Sequence, residues 1–263
     1  MSFQPSISFI GSGNLAWHLA PALDNNGYSV REVYSQTPSH AEALADRLYN
    51  AEAKESLDFS TSTSRIFIVA ISDSVIETIA QEIVLPDGAL LIHTSGSMPV
   101  EILNYAAAAA TGVFYPLQSF SKNKKAEFKG LPIFVESADD DAEELLFEMG
   151  RALGGNIQKI SSEQRAALHV AATFASNFTN HMLLVADQLT QKHDLSFGWL
   201  KPLIRETIEK SLSLGPFEAQ TGPAKRGDLP VLDKHLEILR DDERLSDIYR
   251  IVSQHILDTH EPD

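Results

Sequence analysis

At 263 residues the chain is long enough for two modest domains, each with its own core. Its 36 acidic against 21 basic side chains leave a formal charge of -15, which repels nucleic-acid phosphates and anionic membranes and removes both as expected partners. There is no cysteine, so disulfides, thiolate nucleophiles and Cys-based metal sites are excluded. Met1 to Pro5 carry no basic leader, and the apolar run behind them is too short and glycine-broken for a signal peptide or a membrane span. The expectation is a soluble, cytoplasmic protein.

The first element, Ile7-Ser8-Phe9-Ile10, reads as an apolar strand running into Gly11-Ser12-Gly13-Asn14-Leu15-Ala16 and then a helix. Leu15, Leu19 and Leu23 recur at helical spacing, and Asn25-Asn26-Gly27 supplies the stop. This is a dinucleotide-binding fingerprint in its proper flanks. Gly11 makes the tight turn, Gly13 lets the backbone approach a pyrophosphate, Ala16 packs helix on strand, and the helix-start amides hold phosphate. Tyr28 to Tyr34 alternates like a second strand, followed by Ser35-Gln36-Thr37-Pro38 and a helix over Ser39 to Leu48. A site preferring NAD usually places an acid at the end of that strand to grip the ribose hydroxyls. Ser35, Gln36 and Thr37 stand there instead, and the hydroxyls of Ser35 and Thr37 with His40 and Arg47 could take a ribose phosphate. NADP is therefore the expected cofactor, with NAD second; an ordinary loop is the competing reading of these residues.

Arg65 to Ile71 is a fully apolar strand, and Ser72-Asp73-Ser74 caps the helix after it. Ala89 to His93, Gly112 to Tyr115 and Leu131 to Val135 read as later strands, Ala106 to Ala110 as a short helix, and Asp139 to Asp141 as a solvated helix start. Ligands of an open α/β sheet sit beyond the carboxyl ends of its strands. Ile71, Ser72 and Asp73 are thus expected beside the cofactor, and His93, Ser95, Gly96 and Gln118 beside a substrate. Helix capping by Ser97 is the alternative use of the second segment.

From Ser162 onward no strand is evident. Four helical segments follow, Glu163 to Lys192, Trp199 to Leu214, Leu229 to Leu239 and Glu243 to Leu257. The organisation predicted is α/β, a Rossmann-like doubly wound parallel sheet domain over 1–160 and an all-α domain over 161–263. Steps of three and four align His169, Thr173, Asn177 and Asn180 or His181 on the first helix. Such a polar stripe faces a ligand cavity or bonds to neighbouring helices. His169 is the candidate acid or orienter; metal is rejected, since His169 and His181 stand three turns apart with no carboxylate between. Between later helices, Gln220 to Asp228 forms a compact loop in which Arg226 can grip a carboxylate or phosphate, or Asp228 simply caps the next helix.

Taken together, the opening fingerprint, His93-Thr94-Ser95-Gly96, Pro116 to Phe120, His169 through Asn177, and Thr221-Gly222-Pro223 with Arg226-Gly227-Asp228 resemble the Rossmann-like oxidoreductase family whose C-terminal half is domain of unknown function 2520. The layout is more distantly similar to pyrroline-5-carboxylate reductase, ketopantoate reductase and the 3-hydroxyacid dehydrogenases. The resemblance implies an NADP-binding sheet domain, a helical domain of the 6-phosphogluconate dehydrogenase C-terminal type that forms a homodimer and closes the site, and hydride transfer between NADPH and a small C=O or C=N compound. The hydroxyacid dehydrogenases carry a catalytic Lys on the first long helix of the second domain; this chain has His169 there and no lysine before Lys192. The leading expectation is an NADP-dependent oxidoreductase acting on a small anionic substrate between the domains, with His169 protonating and Ser95, Asn177 and Arg226 orienting. The competing one is a non-catalytic dinucleotide-binding sensor or interaction protein.

Overall fold

The computed structural model describes residues 4–260; Met1 to Phe3, which begin the segment read as lacking a leader, lie outside them. The chain packs as two compact units, one up to Asn180 and one from His181 on. In the first, eight strands form one sheet: β1 (Ile7–Ile10), β2 (Val30–Tyr34), β3 (Glu52–Lys54), β4 (Ile66–Val69), β5 (Leu90–His93), β6 (Ala110–Pro116), β7 (Pro132–Ser137) and β8 (Asn156–Lys159). Their spatial order is β3-β2-β1-β4-β5-β6-β7-β8. Every pairing is parallel except β6 with β7, so the expected doubly wound sheet acquires one antiparallel step. The order reverses between β1 and β4, which opens a crevice at the carboxyl ends of those strands.

The central strands read as continuous apolar runs because both their faces are covered. Phe9, Ile68 and Ile92 join the core beneath α1 (Ala16–Asn25), α2 (Pro38–Ala45) and α4 (Asp140–Ala152). Ile10, Val69 and Leu91 alternate to the opposite core, beneath α3 (Ile76–Glu82). Two strands escaped the sequence reading, β3 and β8, which are the sheet edges. They are short and polar, EAK and NIQK, and so lack the apolar pattern that marks a strand. Ala106 to Ala109 is not helical; the chain there runs between a 3₁₀ turn and β6, which already begins at Ala110.

The helix expected over Glu163 to Lys192 is three pieces: α5 (Ser162–Ala172), a π segment (Thr173–Phe178) and α6 (Thr179–Lys192). Ser161 and Gln164 form a capping box that starts α5. The sequence changes character near 160, yet α5 packs with the sheet, because Arg165 is anchored to the loop after β5 and to Glu136 on β7.

The second unit contains most of α6, then α7 (Lys201–Leu214), α8 (Pro216–Ala219), α9 (Leu229–Leu239) and α10 (Glu243–Thr259). It carries an open apolar pocket of about 280 Å³ lined by Met182, Leu189, Leu232, Tyr249 and Ile256 among others. Among the described residues no helix is long and apolar enough to cross a membrane.

Candidate functional site

A groove of about 1030 Å³ runs along the carboxyl ends of the strands, entirely within the first unit. Its floor is the turn from β1 into α1. Gly11 there has φ +112°, and a Cβ on it would stand 2.2 Å from the Ala70 carbonyl oxygen, so no other residue fits without displacing β4. Gly13 is different: a Cβ on it would find only the Ala70 oxygen at 3.8 Å, so its missing side chain leaves space in the groove itself. Ser12 to Leu15 line this floor at the positive end of the α1 dipole, an anion cradle. Ser12 Oγ donates to Ser35 Oγ at 3.0 Å and ties the cradle to the end of β2.

The other end of the groove is built around the loop after β5. His93 is fully buried, its Nδ1 accepts the Ser95 N–H at 3.1 Å, and its Nε2 lies 3.3 Å from the Pro99 carbonyl. Burial, reinforced by Arg165, pushes its pKa down to about 4, against the smaller pull of the Pro99 carbonyl and Asp73. A neutral imidazole therefore serves as an internal brace of the loop. Ser95 Oγ accepts N–H bonds from Ser97 (3.1 Å) and Met98 (3.0 Å), which leaves its hydroxyl hydrogen to donate elsewhere. Ser97 does not cap the next turn; its hydroxyl bonds to Asp73.

Arg165 locks α5 onto this loop. Its side chain is wholly buried, donates to the Ser95 carbonyl at 3.2 Å and to the Met98 carbonyl, and pairs with Glu136. Glu136 also accepts both the N–H and the hydroxyl of Ser162 at the start of α5. One helical turn beyond Arg165, His169 reaches the groove, and the Tyr115 hydroxyl at the end of β6 lies 3.0 Å from its Nδ1. Gly96 makes that meeting possible: a Cβ there would stand 2.5 Å from His169 Nδ1 and 2.8 Å from Tyr115 Cζ. Burial raises the Tyr115 pKa above that of a free phenol, with Arg165 opposing and Asp73 adding to the effect.

With this geometry in view, the comparisons with known proteins are decisive about kinship. Residues 6–96 match the family model "NADP oxidoreductase coenzyme F420-dependent", and residues 131–256 match "Domain of unknown function (DUF2520)". The crystal structure of BF3122 from Bacteroides fragilis, assigned as an NADP oxidoreductase, is 37% identical, with a TM-score of 0.88 over 97% of this chain and 98% of that one. The chain belongs to this NADP oxidoreductase family with a DUF2520 carboxy-terminal half. A reductive aminase from Aspergillus terreus in complex with NADPH and ethyl levulinate shares the fold, at 15% identity and a TM-score of 0.69 over 97% and 94% of the two chains. So does a pyrroline-5-carboxylate reductase from Coxiella burnetii, at 14% identity and 0.58 over 98% of each. No curated protein sequence matches the chain.

Within this family member the groove collects Gly11, Ser12, Gly13, Asn14, Leu15, Ser35, Gln36, Ile71, Ser72 and Asp73 from the expected cofactor set, together with Ser95, Gly96, Gln118 and His169. His40 lines it as well. Other expected residues of the first unit do not line it. Thr37 stands at the start of α2 outside the lining. Arg47 is turned away, its guanidinium 4.1 Å from the Trp17 ring centroid and bonded to the Trp17 carbonyl. His93 is sealed beneath its loop. Thr173 spends its hydroxyl on the His169 carbonyl at 3.0 Å, and Asn177 is exposed. The π segment is the cause: its wider turn interrupts the three-and-four spacing on which the stripe from His169 to Asn177 depended. Arg226 is exposed in a loop of the other unit, where Asp228 caps α9 by accepting the Val231 N–H.

Tyr115, Arg165 and Lys122 were missed. Tyr115 carried a signal, since it stands next to last in β6, at the strand end where ligand contacts concentrate. Arg165 carried only the oddity of a cation in an otherwise bland helix start. Lys122 lines the groove and holds its ammonium 4.7 Å from the Trp17 ring centroid; nothing in the local sequence singles it out from its neighbouring lysines.

Proposed function

We propose that this chain is an NADP-dependent reductase or dehydrogenase that moves a hydride between the nicotinamide and a small, anionic C=O or C=N substrate. The observation that carries the reading is one continuous groove with an anion cradle at Gly11 to Leu15 and a hydroxyl–imidazole pair, Tyr115 and His169, at its other end. The donor set fits the cofactor. Ser12 to Leu15 would hold the pyrophosphate through backbone amides, Ser35, Gln36 and His40 offer neutral or basic donors to a ribose phosphate, and Lys122 brings a cation to the rim of an otherwise acidic chain. When bound, the cofactor supplies the hydride.

The chain's own part is to orient the substrate and handle the proton. The Ser95 hydroxyl has a hydrogen left to donate, and His169 supplies the proton from the groove wall, directly or through a group beside it. Arg165 and Glu136 hold the elements that carry them, so the two donors stay in register without a mobile loop. Residues 161–263 serve assembly as well as the substrate side: α7 buries none of its side chains, and Trp199, Leu203 and Leu212 are 72%, 62% and 83% exposed, which a second copy of the chain would cover.

Titration of the pure protein with NADPH and with NADH tests the cofactor assignment. Binding is expected to favour NADPH and to vanish in Gly13→Asp, which sets a carboxylate against the pyrophosphate; equal affinity of the variant would overturn the assignment. NADPH oxidation across a panel of keto acids and cyclic imines then tests the reaction, with His169→Ala expected to lower turnover about 100-fold.

A further inference from the structure

Tyr115 closes β6 at the groove, with 9% of its surface exposed and its ring edge-on to His169 at a centroid distance of 6.1 Å. Neither partner is loosely placed. The tyrosine is fixed on a sheet strand, and α5 is clamped by Arg165 one turn before His169. Gly96 supplies the space in which both side chains converge. An imidazolium that carries its proton on Nδ1 must donate to the phenol oxygen at 3.0 Å, which directs the phenol's own hydrogen away from the histidine. A phenol is protonated at neutral pH and burial keeps this one so, which makes it, opposite such an imidazolium, a donor with its hydrogen free for the groove.

We infer that Tyr115 is the catalytic acid of this groove, giving its hydroxyl proton to the substrate heteroatom, and that His169 is the relay that replaces it through Nδ1. The inference rests on the reductase reading above. As the substrate carbon takes the hydride that reduced nicotinamide supplies, the C=N or C=O π pair moves onto the nitrogen or oxygen. That atom takes the Tyr115 proton. The Nδ1 proton of His169 passes to the phenol oxygen, and the neutral imidazole regains a proton from water. The substrate has then gained one hydride and one proton, and Tyr115 ends the step as the neutral phenol.

A tyrosine that only positions His169 would not make turnover depend on its own acidity, and this separates the two roles. Ring-fluorinated tyrosines of graded acidity placed at position 115 are expected to change turnover on the imine and keto-acid panel in step with phenol acidity, while KM stays within about twofold. Tyr115→Phe is expected to lose about 100-fold in turnover. In the resting protein the fluorine resonance at position 115 is expected to move in His169→Gln, which takes the imidazole away from the phenol. Full turnover by Tyr115→Phe, or a rate indifferent to phenol acidity, overturns the inference and leaves the reductase reading standing. A wild-type protein that binds NADPH and reduces nothing in the panel overturns that reading and this inference with it.

Discussion

The sheet unit and the helical unit solve the burial problem differently. In the first, two apolar clusters cover both faces of the sheet, and most polar groups inside are paired, Ser8 with Glu32 and Ser64, Glu32 with Lys54, Arg165 with Glu136, the buried Tyr28 hydroxyl being an exception. In the second, few side chains are buried, chiefly Ala219, Ala224, Leu232 and Leu239, while Trp199, Leu203, Leu212 and Ile251 stand in solvent. One unit has a sheet closed on both faces by its own sequence, with exposed apolar side chains such as Phe174 and Phe178 on the π segment near its end. The other offers apolar faces that its own helices do not cover. Damage to the first should therefore register as lost stability, and damage to the second as lost assembly.

The largest effect is expected at Arg165. Replacing it with Met removes the partner of Glu136 and leaves the Ser95 and Met98 carbonyls without their donor, a loss of about 3–5 kcal/mol for a buried pair broken from one side. Urea denaturation would measure it. A loss under about 1 kcal/mol would mean that the sheet unit is not locked by its interior polar groups, and the contrast would fail at its strongest point.

Next comes His93, where the sign follows from its depressed pKa. The unfolded chain binds a proton near pH 6.5 and the folded chain only near 4, so the buried imidazole weighs nothing above pH 6.5. Stability should fall as pH drops from 6.5 toward 4, by about 3 kcal/mol in all, and level off below that. His93→Asn keeps an acceptor for the Ser95 N–H without the titration, and its curve should be flatter in that window by the same amount. Parallel curves for the two proteins would remove His93 as the brace.

Gly96→Ala should cost less, about 1–3 kcal/mol from overpacking, yet it strikes the site directly, since the new methyl would stand 2.5 Å from His169 Nδ1 and 2.8 Å from Tyr115 Cζ. The expected result is a folded protein with intact NADPH affinity and impaired turnover. Weakened NADPH binding with normal turnover would instead place the glycine's role at the cofactor.

How far the sequence disclosed all this follows the same division. The Gly11 to Ala16 turn and the strands β1, β2, β4 and β5 were legible because period, turn chemistry and burial agree at every residue there. The edge strands β3 and β8 were not, since edges are kept polar. The site was legible where it is made of strand ends and illegible where it depends on side chains meeting from distant segments. Arg165 and Ser95 are 70 residues apart, and Tyr115 and His169 are 54 apart. Local spacing carries no trace of such pairs. At Asn177 a π segment replaces the α-helical period that the stripe assumed.

The smallest effect on the single chain, and the one that bears most on the contrast, is expected from Leu212→Glu. Leu212 is 83% exposed, so a carboxylate there displaces nothing and should change the stability of one copy by no more than about 0.5 kcal/mol. If a second copy covers α7, the same change places a charge in an apolar interface, where desolvation opposes association. Sedimentation should then show the wild type as a dimer and the variant as a monomer. The melting temperature of the wild type should rise with protein concentration, and that of the variant should not. A variant that sediments and melts like the wild type would mean that the exposed leucines of α7 are ordinary surface residues, and the helical unit would need another account of its open apolar faces.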